Sequence, residues 1–220
     1  MSAAAAGPSV LNFADGEAIA DLATYVTRAK SLDSDAAIRL QAVGRVLAAW
    51  TAVVPGQGLT QAGLVLALRT MPLAEEHDLD VTVPLAALSD RFARRAATHD
   101  AGTTIPVPPA TVQPIWTAVT PPRGGWEDYG RVSSVVLLGA AEAGIEEIAK
   151  GAPEGSGANA VARLRNLVWS RAVAGGATAG AGLAAKVLGF ARPGDGLTAT
   201  VSASGSWTRV TLPAGYILSR

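Results

Sequence analysis

The sequence has no cysteine, which excludes disulfides, thiolate metal sites and thiol nucleophiles at once. His77 and His99 are its only imidazoles. No cofactor and no metal is expected from so thin a stock of ligands. Lysine is scarce and arginine carries most of the positive charge, a bias of high-GC coding that says more about the genome than the job. No apolar run spans a bilayer, since Ala172 to Ala185 is rich in glycine and alanine and poor in large aliphatics. The N-terminus shows neither the positive nor the apolar region of a secretory signal, so a cytoplasmic location is expected.

What is present is a folded composition, with 49% hydrophobic and 16% charged residues, far from the regime of disorder. The 220 residues suffice for one large domain or two small ones. A formal net charge of zero hides an asymmetry: residues 1–130 carry nine basic and thirteen acidic side chains, and residues 131–220 carry nine and five. Such a basic half suits either a polyanionic partner or attraction between the two halves.

In chain order, residues 1–14 read as a flexible tail. Asp15-Gly16-Glu17 opens a helix with Ile19, Leu22, Tyr25 or Val26, and Ala29 at helical spacing. The apolar runs Ile38–Val43, Val46–Val54 and Leu64–Met71, then Val81-Thr82-Val83, read as an antiparallel meander. The middle run is apolar on both alternating faces, as a strand covered on both sides would be. A rival reading coils Ala36–Trp50 as one helix, which Gly44 and the β-branched Thr51, Val53 and Val54 oppose. Pro84 opens a helix with Leu85, Leu88 and Phe92 inward. Residues 98–130 form a Pro/Gly-rich extended linker with a Trp loop.

Beyond it, Ser133 or Ser134 caps a helix to Lys150 whose stripe is Val136, Leu137, Ala140, Ala141, Ile145 and Ile148. Gly155-Ser156-Gly157 is a flexible break. A helix over Ala158–Arg171 turns Val161, Leu164, Leu167 and Val168 inward, and another runs from about Ala181 to Phe190. Leu197–Val201 pairs with Trp207–Leu212 as a hairpin. The expected class is α+β: a meander region at 15–97 flanked by helices, then a helical module at 131–220 ending in a hairpin, the order of a winged helix. The two regions can pack as one domain.

Glu75-Glu76-His77-Asp78-Leu79-Asp80 is the densest ionisable group, suited to a divalent ion, though a solvated acidic segment explains it as well. No nucleophile elbow, phosphate loop or dinucleotide fingerprint is present. Arg123, Trp126, Glu127 and Tyr129 share one loop, a mixture able to stack a planar ligand and fix it by charge. The competing role for Trp126 is to anchor its own loop. Arg163, Arg165, Arg171 and Lys186 on helices, with Arg209 on the hairpin, form a candidate nucleic-acid surface.

Gly125-Trp126-Glu127, Val168-Trp169-Ser170-Arg171, Trp207-Thr208-Arg209-Val210 and Pro213-Ala214-Gly215-Tyr216-Ile217-Leu218 resemble a family of uncharacterised actinobacterial hypothetical proteins. Leu40 to Trp50 and Leu66-Ala67-Leu68-Arg69-Thr70 extend the resemblance over most of the chain. It implies no activity and carries over no functional residue. The residues themselves lead to a non-catalytic binding or regulatory protein that contacts another protein or itself. Nucleic-acid binding through the basic module is the first alternative, and a small-molecule or enzyme site at the Trp126 loop is the second.

Overall fold

A computed structural model describes residues 9–152 and 157–220, so most of the expected tail and all but Gly157 of the glycine break lie outside the described residues. The described residues divide into two compact units, one within residues 9–51 and 69–114 and the other within 52–68, 115–152 and 157–220.

The first unit begins with β1 (Val10–Asn12), paired antiparallel with β4 (Thr104–Pro106). Leu11 and Phe13 are fully buried, so the tail reading fails from β1 onward. The Pro-rich stretch is likewise not linker throughout, because β4 and Val107 bury Ile105 and Val107. Helix α1 (Gly16–Leu32) starts where Asp15 accepts the Ala18 amide, and it buries Ile19, Leu22, Tyr25, Val26 and Ala29 as the spacing predicts. Burial pushes the Tyr25 hydroxyl far above its usual range, against the opposing pull of Arg69 and a hydrogen bond with the Thr51 backbone. Arg69 also pairs with Asp21 of α1 at 2.5 Å. Helix α2 (Leu85–Ala97) follows Pro84 and buries Leu85 and Leu88, while Phe92 is only half-buried.

Between these helices run β2 (Ala37–Val54) and β3 (Val65–Pro84), so the rival helix over Ala36–Trp50 does not form. The Thr51 hydroxyl donates to the Ala37 carbonyl at 3.3 Å across fourteen residues, a span of about 46 Å in one straight strand. The chain of β2 therefore doubles back, and the place is Gly44, whose φ is +58. A two-residue turn at Gly44-Arg45 sets Ala42 opposite Leu47, Leu40 opposite Ala49 and Ile38 opposite Thr51. These six side chains are all buried, as are Ala37, Val53 and Val54 at the strand ends, and Val43 and Val46 at the turn are 78% and 50% exposed. Arg45 reaches the Leu73 and Ala74 carbonyls of β3, and Arg39 pairs with Asp80. The meander reading holds for the first three runs, with two differences. Its fourth strand is the end of β3, and only one face of Leu47–Val53 is fully buried, because Ala48, Trp50 and Ala52 are half-covered.

The second unit carries β5 (Glu127–Ser133), α3 (Ser134–Gly151), α4 (Ala158–Trp169), α5 (Ala179–Val187), β6 (Thr198–Ser204), β7 (Trp207–Leu212) and β8 (Gly215–Ser219). Ser133 caps α3 through the Val136 amide. Asp195 accepts from the Ser134 hydroxyl and from the Arg192 and Leu197 amides, and these bonds hold its carboxyl below the usual carboxylate range. The buried line of α3 is Ser134, Leu137, Leu138, Ala141 and Gly144, rotated from the expected stripe. Val136 and Ile145 are exposed, because the Trp169 ring occupies the space beside Gly144. On α4 the expected inward Leu167 is 66% exposed and Trp169 is buried in its place.

Helix α5 is buried through all of Ala179–Ala185. A Cβ at Gly180 would meet Val65 at 2.8 Å, and one at Gly182 would meet the Leu137 carbonyl at 2.3 Å. Two missing side chains thus let α5 lie against both α3 and the sheet.

The sheet has six strands in the order β2-β3-β8-β7-β6-β5. The expected hairpin is present as β6 and β7, with Val201 opposite Val210. It is no free wing, because β8 pairs with β7 on one side and β5 pairs with β6 on the other. A winged helix leaves its hairpin at an edge, and here the hairpin is interior to the sheet.

Gly182→Val is expected to destabilise the chain by about 3 kcal/mol in urea unfolding, the upper range for overpacking a tight seam. Gly139→Ala on the same helix pair, where an added Cβ meets nothing within 4 Å, should be neutral or stabilise by up to about 1 kcal/mol. Equal effects would contradict the seam.

Candidate functional site

The two faces of the second unit's sheet follow from its register. Thr178 bonds Ser219 and α5 meets Val65, so Val65, Ala67, Ile217, Ser219, Val210, Leu212, Val201 and Ala199 form the helix-covered face. Their neighbours form the other face: Leu66 and Leu68 on β3, Tyr216 and Leu218 on β8, Trp207, Arg209 and Thr211 on β7, Ser202 on β6 and Asp128 on β5.

Arg209 sits near the middle of this second face. Its guanidinium carbon lies 4.5 Å from the centroid of the Trp126 ring and 6.0 Å from that of Tyr216. The Trp126 indole donates to the Pro122 carbonyl at 3.1 Å, closing the Pro122–Trp126 loop over the arginine. Ser204 adds a hydroxyl bond to the Gly124 carbonyl. Beside this stack, Arg220 lies 5.8 Å from the Trp207 ring. The Arg209 Nε is buried and has no hydrogen-bond partner among the described residues.

The four loop residues do not assemble into one site. Trp126 stacks on Arg209. Glu127 pairs in register with Ala203 and so belongs to the opposite face. Tyr129 is the extra residue of a bulge between Asp128 and Gly130, and its ring lies over Gly176. Arg123 is exposed on the loop. The stretch from Glu127 is thus a strand and not a loop, and alternation sends adjacent side chains apart. Tyr216 is the member of the cluster that the loop grouping misses. The hairpin register carries the signal for it, since Thr211 faces Tyr216 two pairs along from Arg209, on the same face.

The basic candidates divide differently from the expected surface. Arg171 donates two hydrogen bonds to the Glu147 carboxylate at 2.8 and 2.9 Å, and Lys186 pairs with Glu142 at 2.7 Å. Glu147 is held below, and Arg171 above, its ordinary range by that pairing. Glu146 takes Lys150, so each carboxylate of α3 holds a cation. Arg163 and Arg165 stay exposed, two residues apart on α4 and hence on different sides of it. The five charges make no continuous stripe, and the nucleic-acid alternative is not favoured.

The acidic segment lies in β3, where alternation again separates its members. Asp80 bonds Arg39 and Gln41, and the Ser9 hydroxyl and His77 Nε2 are 3.0 Å apart. Among the described residues no three histidine, aspartate or glutamate side chains gather to hold a metal ion. The Arg39 hydrogen bond, with smaller help from Gln41, holds the Asp80 carboxyl below its usual value. Its stabilisation is therefore complete above the unfolded carboxylate range and lost as pH falls through the lower folded value. Asp80→Asn is expected to cost under about 1 kcal/mol at neutral pH, since the pair is half open to solvent. That difference should vanish in strongly acidic urea titrations, and a difference that grows on acidification would contradict the pairing.

The Arg209 stack has its own test. Trp126→Ala should release the loop and raise the rate of tryptic cleavage after Arg123 several-fold, with little change in global stability. Unchanged cleavage would show that the ring does not hold the loop.

Comparison with known proteins agrees with this architecture. A putative DNA polymerase III beta subunit from Eubacterium rectale matches 97% of this chain and 65% of its own, at 9% identity and a TM-score of 0.51. The DnaN sliding clamp (DNA polymerase III subunit beta) from Bartonella birtlesii, solved bound to griselimycin, matches over 96% and 64%, at 10% identity and a TM-score of 0.52. Caulobacter crescentus pol III beta matches over 92% and 63%, at 12% identity and a TM-score of 0.50. The chain spans just under two thirds of the length of these proteins, and at such identities the likeness is one of fold. No curated protein matches. No helix among the described residues is long and apolar enough to cross a membrane. Residues 121–220 match the Domain of unknown function (DUF8185), and over residues 7–117 the chain belongs to the family of the Domain of unknown function (DUF8010).

Proposed function

We propose that this chain is a non-catalytic, cytoplasmic binding protein that works through contacts with another protein or with copies of itself. The observation that carries this reading is the fate of its charges. The helices of the second unit offer no run of free cations to a phosphate backbone, because Glu142, Glu146 and Glu147 hold Lys186, Lys150 and Arg171. The sheet face instead combines arginine with tryptophan and tyrosine, the residue types that dominate protein–protein contacts. The sliding-clamp likeness supports a scaffold role, since it supplies a fold and no catalytic constellation. The arginine-weighted, Gly/Ala-rich composition supports an actinobacterial source.

Affinity purification from the source cells with native mass spectrometry of the purified chain tests this. The expected result is a stoichiometric protein partner or a defined self-assembly that survives moderate salt. A monomer without a partner, or retention of duplex DNA with an affinity that falls steeply with salt, would contradict it.

A further inference from the structure

We propose that the loop of residues 55–63 and the outer face of α4 receive an acidic amphipathic helix of a partner protein, with Leu59 as the apolar anchor. The proposal rests on the protein-binding reading above and names the chemistry of the partner. Leu59 is fully exposed on the loop, and Leu167, also exposed, lies one helical turn from the exposed Arg163 on α4.

The loop is held in place by its own bonds. Gln57 and Ala62 exchange backbone hydrogen bonds at 2.9 and 3.0 Å, and the Gln61 side-chain amide donates to the Gly58 carbonyl at 2.8 Å. Gln61 is buried with a φ of +52, a left-handed backbone that side chains rarely adopt. A Cβ at Gly56 would meet the Gln61 backbone at 2.6 Å, so the two arms of the loop touch. Two further bonds tie it to α4: Gln57 Nε2 donates to the Ala162 carbonyl and Asn166 Nδ2 donates to the Ala62 carbonyl, each at 3.3 Å. Ala162 and Asn166 directly precede Arg163 and Leu167, so the loop flanks the face that carries them. A strained, cross-tied backbone keeps Leu59 presented to solvent, and little order remains to be lost on binding.

Charge selects the partner. Residues 55–63 and α4 contain no carboxylate, while Arg163 and Arg165 are exposed. Glu147 of the adjacent α3 is already taken by Arg171. This surface therefore attracts carboxylates, and its two leucines offer apolar area that a phosphate backbone has no use for. An amphipathic helix supplies both needs, an apolar stripe for Leu59 and Leu167 and a carboxylate beside it for Arg163.

The test is fluorescence anisotropy of a capped, labelled peptide of Glu/Leu heptads titrated with the purified full chain, with a Lys/Leu peptide of the same pattern and a single-stranded oligonucleotide in parallel. Saturable binding of the Glu/Leu peptide is expected, about tenfold or more tighter than that of the Lys/Leu peptide. Leu59→Ser should weaken it about tenfold, the loss of one buried aliphatic side chain, and Arg163→Gln about threefold, as suits an exposed charge pair. Arg123→Gln, on the Trp126 loop, should leave it within about twofold. Leu59→Ser should melt at the temperature of the unaltered chain, since the side chain it removes is wholly in solvent. Absence of saturable binding, equal binding of the Lys/Leu peptide, full affinity in Leu59→Ser, or tighter binding of the oligonucleotide would each overturn the assignment. A self-assembly of the chain that Leu59→Ser dissolves would also overturn it, by making a second copy the occupant. A native partner complex whose affinity ignores Leu59 would leave the protein-binding reading standing and remove only this site.

Discussion

A cation stacked on aromatic rings, with no counter-ion among the described residues, is the interaction on which the second unit's sheet face is organised. Taking a guanidinium out of water costs several kcal/mol unless something replaces its hydration. Here the replacement comes from the Trp126 and Tyr216 rings, and only partly, since the Nε keeps no acceptor. The arrangement requires Trp126 to come from a loop closed by its own indole and Tyr216 from β8, at the place where β7 and β8 pair in register. Loop, hairpin and last strand are thus tied at one side chain.

The opposite face depends on what the chain omits. Gly180 and Gly182 bring α5 against Val65 and the α3 backbone, and Gly144 makes room for Trp169. With that side sealed by small residues, the carboxylates of α3 pair with Lys150 of the same helix, with Lys186 of α5 and with Arg171. The carboxylates of α3 are matched by cations, while Arg163 and Arg165 on α4 stay exposed.

Much of the helical content was open to sequence reasoning, because the caps are explicit. Asp15, Pro84 and Ser133 stand where helices begin, and every expected residue of the α1 stripe is buried, with Ala18 in addition. The α3 stripe is displaced because a glycine adds nothing to a hydrophobic pattern, yet Gly144 is where the neighbouring helix comes closest. Gly44 marks a reversal inside β2 that the alternation itself encodes: even positions point inward before it and odd ones after. The site was legible only in pieces. Grouping Arg123, Trp126, Glu127 and Tyr129 by adjacency fails because a strand of period two sends neighbours to opposite faces and a bulge ejects Tyr129. Pairing Arg209 with Trp126 needs a contact more than eighty residues apart in sequence, for which local patterning has no signal. The basic last third misleads for a related reason, since its counter-charges lie on α3, earlier in the chain.

The central claim, that the Arg209 guanidinium stacks on Trp126 and has no carboxylate partner among the described residues, is open to one direct measurement. In nitrogen-resolved NMR of the arginine side chains, the Arg209 Nε–H should show a slowly exchanging resonance displaced by ring currents. That displacement should collapse in Trp126→Leu and persist when the acidic side chains of the same face are neutralised. A resonance at the ordinary solvent-exposed position, or one that moves with Asp128→Asn and ignores Trp126→Leu, would contradict the account.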